Sequence, residues 1–415
     1  MQMFAIRNRT YPRKSRPLSI ASRIWLAADA YSPPCWITIM FEGTGRFDSI
    51  RIAEAVHTAS EANPGSRLIL RGHLASSRWT ASGPIPPVKV IPDLIWDGMG
   101  SEGIDPWLHS SDVRCGPNAE VLLMNGTPAR IIFRAHHAIM DGRGTLTWAE
   151  DVFRCLNGLP PLGSDHVLVE NDLLHLPDQK AHPAPAYDYI PPTRSPVIGE
   201  SGFVWRRSTL SGHHRDLLAQ VLLLAARASW RHHRGPVRFA IPVDLRYRIP
   251  TVRSTGNLTN AIFIPIAPEA STASVTKEIK RRVDEYDDGR LNLEDKLIPY
   301  IPLQVLKQFL LYEDRQRYRN NRFRCTGLIS NLGRIELEKF SGGGFTASTY
   351  SVVPVALDSM PLSITLSGSR TGSEMIVRMP RSYAAGGQIE EFLAYITEGL
   401  RTGVCTAGSK EASHH

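Results

Sequence analysis

The chain of 415 residues has few cysteines and no arrangement that would put them to work. Cys35, Cys115, Cys155, Cys325 and Cys405 are odd in number and far apart, without a CxxC pair or a Cys/His cluster. A disulfide framework and a zinc site are therefore not expected, and a reducing cytoplasm is the expected setting. Also missing is any apolar run near the roughly 20 residues that span a bilayer. The longest, LLAQVLLLAARASW (217–230), is flanked by charge and predicts a buried helix. The basic start (RNRTYPRKSR, 7–16) is not followed by the apolar core of a secretory signal. Net charge is +8 with the basic residues dispersed, so nucleic acid is not an expected partner. SGGG (341–344) lacks the lysine and the strand-to-helix setting of a phosphate cradle. No short internal repeat marks a solenoid.

What is present describes a globular chain rich in turns. Hydrophobic residues make up 42% and charged residues 21%, ordinary for such a protein, and 32 glycines and 30 prolines are spread along it. The length suits two domains or one two-lobed unit. PCWITIMFEG (34–43) predicts a strand and FDSIRIAEAVHTASEANPG (47–65) a helix capped by Asp48, with SRLILRGHL (66–74) a strand after it. AEVLLMNGTPARIIFRAHH (119–137) reads as a hairpin around Asn125-Gly126. RGTLTWAEDVFRCLNG (143–158) has helical spacing of Leu146, Ala149, Val152, Phe153 and Leu156. Residues 176–196 are proline-rich and read as a linker. Beyond it, strands are expected at 202–210, 236–246, 260–266, 325–337, 351–357, 362–368 and 374–380, with helices at 214–231, 272–287 and 387–401. Strand and helix patterns alternate in both halves, so the class is α/β or α+β in two similar lobes. The boundaries drawn are 1–185 for the first lobe, 186–200 for the linker, 201–405 for the second lobe and 406–415 for a tail.

The chemistry concentrates in FRAHHAIMDGRG (133–144), where two histidines end an apolar strand and a carboxylate follows in a glycine-flanked turn. A neutral imidazole accepts a proton near neutral pH, which suits a general base. Successive strand residues face opposite ways, so His136 and His137 have different jobs. Asp141 begins a helix, where a carboxylate caps backbone N–H groups and, if buried, calls for a cation. Gly142 and Gly144 permit close backbone approach. A lone His or Asp would be read as a capping or packing residue; the constellation in this setting favours function.

HHAIMDG (136–142) resembles the HHxxxDG signature of the chloramphenicol-acetyltransferase-like superfamily, which includes condensation domains and related acyltransferases. IPVDLRYRIP (241–250), TGNLTNAIF (255–263), GLISNLGRI (327–335) and ASEANPGSRL (59–68) resemble further family segments in the expected order. The DFGWG sequence of the plant branch is absent, and RPLSIASRIWL (16–26) is only loosely like the opening motif of condensation domains. The resemblance implies two similar lobes with a tunnel between them and His137 near its middle as the base. It implies an Asp141–Arg246 ion pair, a supporting His136, a Gly142 N–H that steadies an oxyanion, and Ser330, Asn331 and Asn260 as substrate contacts. The implied protein is a stand-alone, monomeric acyltransferase. It would move an acyl group from coenzyme A or a phosphopantetheinyl carrier protein to an alcohol or amine, with no metal or other cofactor, in natural-product biosynthesis. Rival readings are a cyclase, epimerase or hydrolase on the same scaffold, or a non-catalytic carrier-binding module. Five arginines in EDRQRYRNNRFRC (313–325) fit either a docking patch for phosphates or an acidic carrier, or a solvated helix face.

Overall fold

The computed structural model describes residues 15–403, apart from 33, 93–95, 110, 166, 175–187, 213, 286, 288–292 and 371. Two long strands set the architecture. β2 (Trp36–Gly45) and β7 (Ala129–His136) are apolar on both faces along most of their length and pair antiparallel, with Trp36 opposite His136 and Gly43 opposite Ala129. A strand buried on both faces needs cover on each side. One face meets α2 (Ser49–Ala62) and α3 (Gly142–Leu156), where Phe41, Phe133, Trp148 and Phe153 interlock edge to face. The other face meets the second lobe through Met40, Trp205, Val353 and Ile376.

The first sheet has the order β12-β2-β7-β6-β5, with β5 (Val88–Val90), β6 (Ala119–Met124) and β12 (Phe345–Val353). The second has the order β10-β9-β11-β13-β14-β8. Its strands are β8 (Phe203–Ser211), β9 (Val237–Asp244), β10 (Thr259–Ile266), β11 (Gly327–Arg334), β13 (Ser363–Gly368) and β14 (Gly372–Pro380). Three short strands, β1 (Ser15–Pro17), β3 (Ile69–Arg71) and β4 (Arg78–Thr80), form a small third sheet. The remaining helices are α1 (Ile20–Asp29), α4 (Leu217–Trp230), α5 (Thr272–Asp284), α6 (Leu303–Asn320), α7 (Arg381–Ala384) and α8 (Gln388–Thr402). α4 is buried, as its unbroken apolar sequence predicts, and packs in the second lobe's core with α8 residues Ile389, Phe392 and Ile396.

Differences from the sequence reading have local causes. The β6–β7 hairpin closes through residues 125–128 rather than two. Asn125 is occupied elsewhere: its carboxamide accepts from Phe47 N–H at 2.8 Å and donates to the Phe47 carbonyl. The strand expected at 66–74 shrinks to Ile69–Arg71, because Pro64–Arg67 forms a helical turn first. The 351–357 strand begins earlier, at Phe345, and it leaves the second half of the chain to pair with β2. That pairing carries an irregularity between Ala347 and Thr349, and Gly43 allows it: a Cβ there would sit 1.9 Å from the Thr346 carbonyl oxygen. A helix at 303–320 was not expected from apolar spacing, since much of its surface is polar. Of the five arginines at 313–325, Arg317 turns inward and pairs with Asp314 at 2.9 Å. The proposed linker lies partly outside the described residues; of its remainder, Ile190 is in the second lobe's core, and Val197 N–H bonds the Ser382 carbonyl at 2.8 Å. The tail at 406–415 lies outside the described residues.

A buried chain of charge joins the lobes. Arg130 Nε bonds Glu42 Oε1 at 2.6 Å, Glu42 Oε2 also meets Arg207, and Arg207 Nε bonds Glu374 Oε2 at 2.7 Å. Thr209 and Thr349 hydroxyls donate to the same Glu374. All four charges are buried, so each depends on its neighbours. Arg207→Leu strands Glu374, leaves Glu42 with Arg130 alone, and is expected to lower the unfolding free energy by about 3–5 kcal/mol. Urea denaturation checks this, and a change below about 1 kcal/mol, the worth of a surface pair, would show that the lobes do not rely on Arg207.

Candidate active site

The site forms where β7 runs out. His136 ends the strand with its side chain enclosed, and His137 leaves it with a half-buried ring. His137 N–H bonds the Cys35 carbonyl at 2.8 Å, so β2's approach still guides the chain after pairing ends. The loop 137–141 is then pinned from α1 and β1. Ser22 Oγ donates to the Ala138 carbonyl at 2.7 Å, and Arg16 Nη2 donates to the Ile139 carbonyl at 2.7 Å.

His136 is a brace. Its Nδ1 accepts from Ala138 N–H at 3.1 Å, which places the proton on Nε2, and Nε2 faces Asp29 Oδ2 at a long 3.5 Å. Burial alone would raise the Asp29 pKa; the His136 contact and the Cys35 N–H hold it below its ordinary value.

His137 is placed differently. The Trp25 ring stacks on it at 4.2 Å, only 10° from parallel. Asn257 Nδ2 donates to the His137 carbonyl at 2.8 Å and stands 3.3 Å from its Nδ1. Desolvation pushes the His137 pKa down to about 4, against the opposing pull of its own backbone carbonyl and of Asp141. The ring is therefore neutral through the physiological range.

Asp141 caps α3 and is saturated. Oδ1 accepts from Gly144 N–H at 2.7 Å, and Oδ2 accepts from Leu258 N–H at 2.8 Å and the Thr259 hydroxyl at 2.9 Å. Arg246 closes a two-pronged pair, with Nη1 on Oδ2 at 3.0 Å and Nη2 on Oδ1 at 3.2 Å. Burial would raise the Asp141 pKa; the Arg246 charge and these bonds hold it low. Arg246 is also tied to Asp244 at 2.7 Å and to the Gly256 carbonyl at 2.6 Å. With every acceptor position used, Asp141 shapes the loop and has no free oxygen for a substrate.

The glycines are close-approach positions of unequal strictness. A Cβ at Gly142 would meet only the Leu332 side chain, at 2.8 Å, which can turn aside. At Gly144 it would meet the Thr255 backbone oxygen at 2.4 Å, which cannot.

Among the described residues, Ser330, Asn331 and Asn260 make no hydrogen bond to His137. Asn331 instead closes a turn by accepting from Gly333 N–H at 2.9 Å and lines a separate cavity of about 340 Å³ beside α4 and α5. Ser330 and Asn260 sit half-buried on β11 and β10. Asn257 and Trp25 are the contacts that sequence reasoning missed, although both stand in the segments TGNLTNAIF and RPLSIASRIWL. The signal for Asn257 was its place at a strand entrance rather than within the strand. The five cavities described, from 260 to 670 Å³, have linings that do not include His137. Among the described residues, no group of three metal-binding side chains is present and no helix is long and apolar enough to cross a membrane.

Asp141→Ala removes the acceptor for four donors and leaves Arg246 without its second carboxylate. The expected cost is about 3–5 kcal/mol of stability. Thermal and urea unfolding of the variant check this, and an unchanged midpoint would deny Asp141 its structural role.

No family model matches the sequence, and no curated protein matches it. Solved structures do. The starter condensation domain of rhizomide synthetase in complex with C8-CoA is 15% identical, with a TM-score of 0.62 over 95% of each chain. The first condensation domain of the calcium-dependent antibiotic synthetase, in complex with a substrate analogue, is 14% identical, with a TM-score of 0.63 over 93% of this chain and 96% of that one. The epimerization domain from the third module of tyrocidine synthetase B is 12% identical, with a TM-score of 0.58 over 95% and 98%. Two lobes, a strand passed between them and histidines at the end of a central strand thus make up a fold similar to that of these solved condensation and epimerization domains.

Proposed function

We propose that this protein is a condensation-like acyltransferase that uses His137 as general base. The observation that carries the reading is the His137 ring itself: neutral, reachable by solvent and held by Trp25 and Asn257. An alcohol or amine acceptor attacks the carbonyl carbon of an acyl thioester while the neutral His137 imidazole takes its proton. The tetrahedral intermediate then expels the thiolate, which receives that proton from the imidazolium, so the enzyme ends as it began. Gly142, as the first residue of α3, offers a backbone N–H at a helix N-terminus to the oxyanion. Asp141, Arg246 and His136 hold geometry and never meet the substrate. The donor is an acyl-coenzyme A or an acyl carrier protein, brought into a channel between the lobes. Similarity to a domain solved with C8-CoA supports the coenzyme A form.

A second reading is favoured by one finding, the likeness to an epimerization domain. Acyl transfer and epimerization separate cleanly in the test. The protein is incubated in D2O with a panel of short and medium acyl-CoA thioesters plus amine and alcohol acceptors, and with aminoacyl thioesters alone. New ester or amide mass supports transfer; deuterium at the α-carbon without a coupled product supports epimerization and rejects transfer.

Two outcomes follow for the transferase. His137→Ala should lower turnover by about 10²–10⁴-fold with the thermal midpoint unchanged; full turnover would remove His137 as the base. The acid limb of kcat/KM should have its midpoint near pH 4, because burial depresses the His137 pKa to about 4. Activity retained at pH 5 supports this, whereas a midpoint near the ordinary histidine value of about 6.5 would contradict it. Between those values the unfolded chain binds a proton that the native site refuses, so this residue destabilises the fold increasingly as pH falls from about 6.5 to about 4 and has no such effect above that window.

A further inference from the structure

A cavity of about 260 Å³ lies between the lobes, walled by the start of β2 and by the facing ends of β8 and β14. Its lining holds hydrogen-bond donors with nothing to bond. Trp36 and Trp205 each have 3% exposure, and neither indole N–H has a partner. The Nε atoms of Arg134 and Arg378, two more lining residues, are also buried and unpartnered. Arg134 spends its charge on Glu120. Arg378 forms no ion pair within the described residues: its Nη1 donates to the Pro354 carbonyl at 2.8 Å, and its guanidinium stands 5.1 Å above the Phe203 ring.

The charges at the cavity do not balance. Asp105 is its acidic lining residue, and the nearest cation to it is Arg381 at 3.8 Å. One carboxylate thus faces two guanidinium groups. Burial pushes the Arg378 pKa down to about 10, with Asp105 pulling the other way, so the cation is poorly compensated. A buried donor left unmade costs about 1–3 kcal/mol, and water filling the space would satisfy N–H groups but bring no charge.

We propose that this cavity is a binding site for a small carboxylate anion, held by Arg378 and by the indole N–H groups of Trp36 and Trp205. A carboxylate supplies acceptor oxygens in a plane, which suits a guanidinium fork. The flat faces of Phe203, Trp36 and Trp205 suit an apolar body behind it. The position matters for the active loop. Cys35, the residue before Trp36, accepts the His137 N–H at 2.8 Å, and the Trp36 ring stands edge-on to His136 at 6.2 Å. An occupied cavity would therefore brace the strand end from which both histidines hang. The site stands whether or not His137 transfers acyl groups.

Isothermal titration calorimetry of the whole protein with benzoate, and separately with inorganic phosphate, tests the assignment. Benzoate is expected to bind saturably and at least tenfold more tightly than phosphate, and Arg378→Gln to weaken it at least tenfold. Trp36→Phe keeps the ring and loses one N–H, and a loss of about three- to tenfold is expected, the worth of one hydrogen bond; this variant carries the test if Arg378→Gln does not fold. Benzoate should also raise the thermal midpoint of the wild type and not that of Arg378→Gln. Phosphate binding as tightly as benzoate would overturn the carboxylate assignment. No saturable heat from either anion, or undiminished benzoate binding in the variants, would overturn the site.

Discussion

The carboxylate of Asp141 is the joint on which the site turns. It belongs to the first lobe, yet Leu258 N–H, the Thr259 hydroxyl and both prongs of Arg246 come from the second. Its fourth duty, capping α3 through Gly144 N–H, orients the helix that follows the loop. One small group therefore fixes the loop's shape, the helix direction and the seating of one lobe on the other. The alternation of roles along HHAIMDG follows from this. His136 is turned inward to Asp29, Asp141 is saturated by donors, and His137 is left half-buried between Trp25 and Asn257.

Desolvation does most of the electrostatic tuning. It depresses the His137 pKa more than the nearby carboxylate can raise it, because Asp141 is already neutralised by Arg246. For the proposed acyl transfer, availability as a proton acceptor would come at some loss of basicity, tolerable where the proton is passed on within one cycle. Trp25 contributes by covering one face of the ring, so that water enters from fewer directions.

Much of this was legible in the sequence, and for a consistent reason. Long apolar strands such as β2 and β7, the Asp48-capped helix α2 and the uniformly apolar α4 announce themselves, because burial on one or two faces forces a periodic or continuous pattern. The motif was legible because its residue types are costly to place together without a use. Other features depend on partners distant in sequence, and no local pattern encodes them. The stacking of Trp25 on His137 spans more than a hundred residues. Asn257 was passed over for Asn260 because neighbouring asparagines differ only in which way the backbone turns them at the start of β10. Asn331 lay on the expected strand but faces a cavity on the far side. α6 was obscured because its exposed surface, with Val305, Phe309 and Tyr312 among charged residues, breaks the usual division of apolar and polar faces.

The strand lent by the second half to the first has a consequence for how the molecule can be divided. β12 occupies the rim of the five-stranded sheet, against the β2 ladder Thr38–Gly45. A polypeptide ending before residue 345 would leave that ladder as a naked border, with unpaired amides and carbonyls beside large hydrophobic side chains, an open invitation to stacking with other copies. The amino-terminal half is thus not a module that can be made or inherited alone. Any opening between the halves must also be a slight flexing about this shared seam, since parting them would tear a sheet.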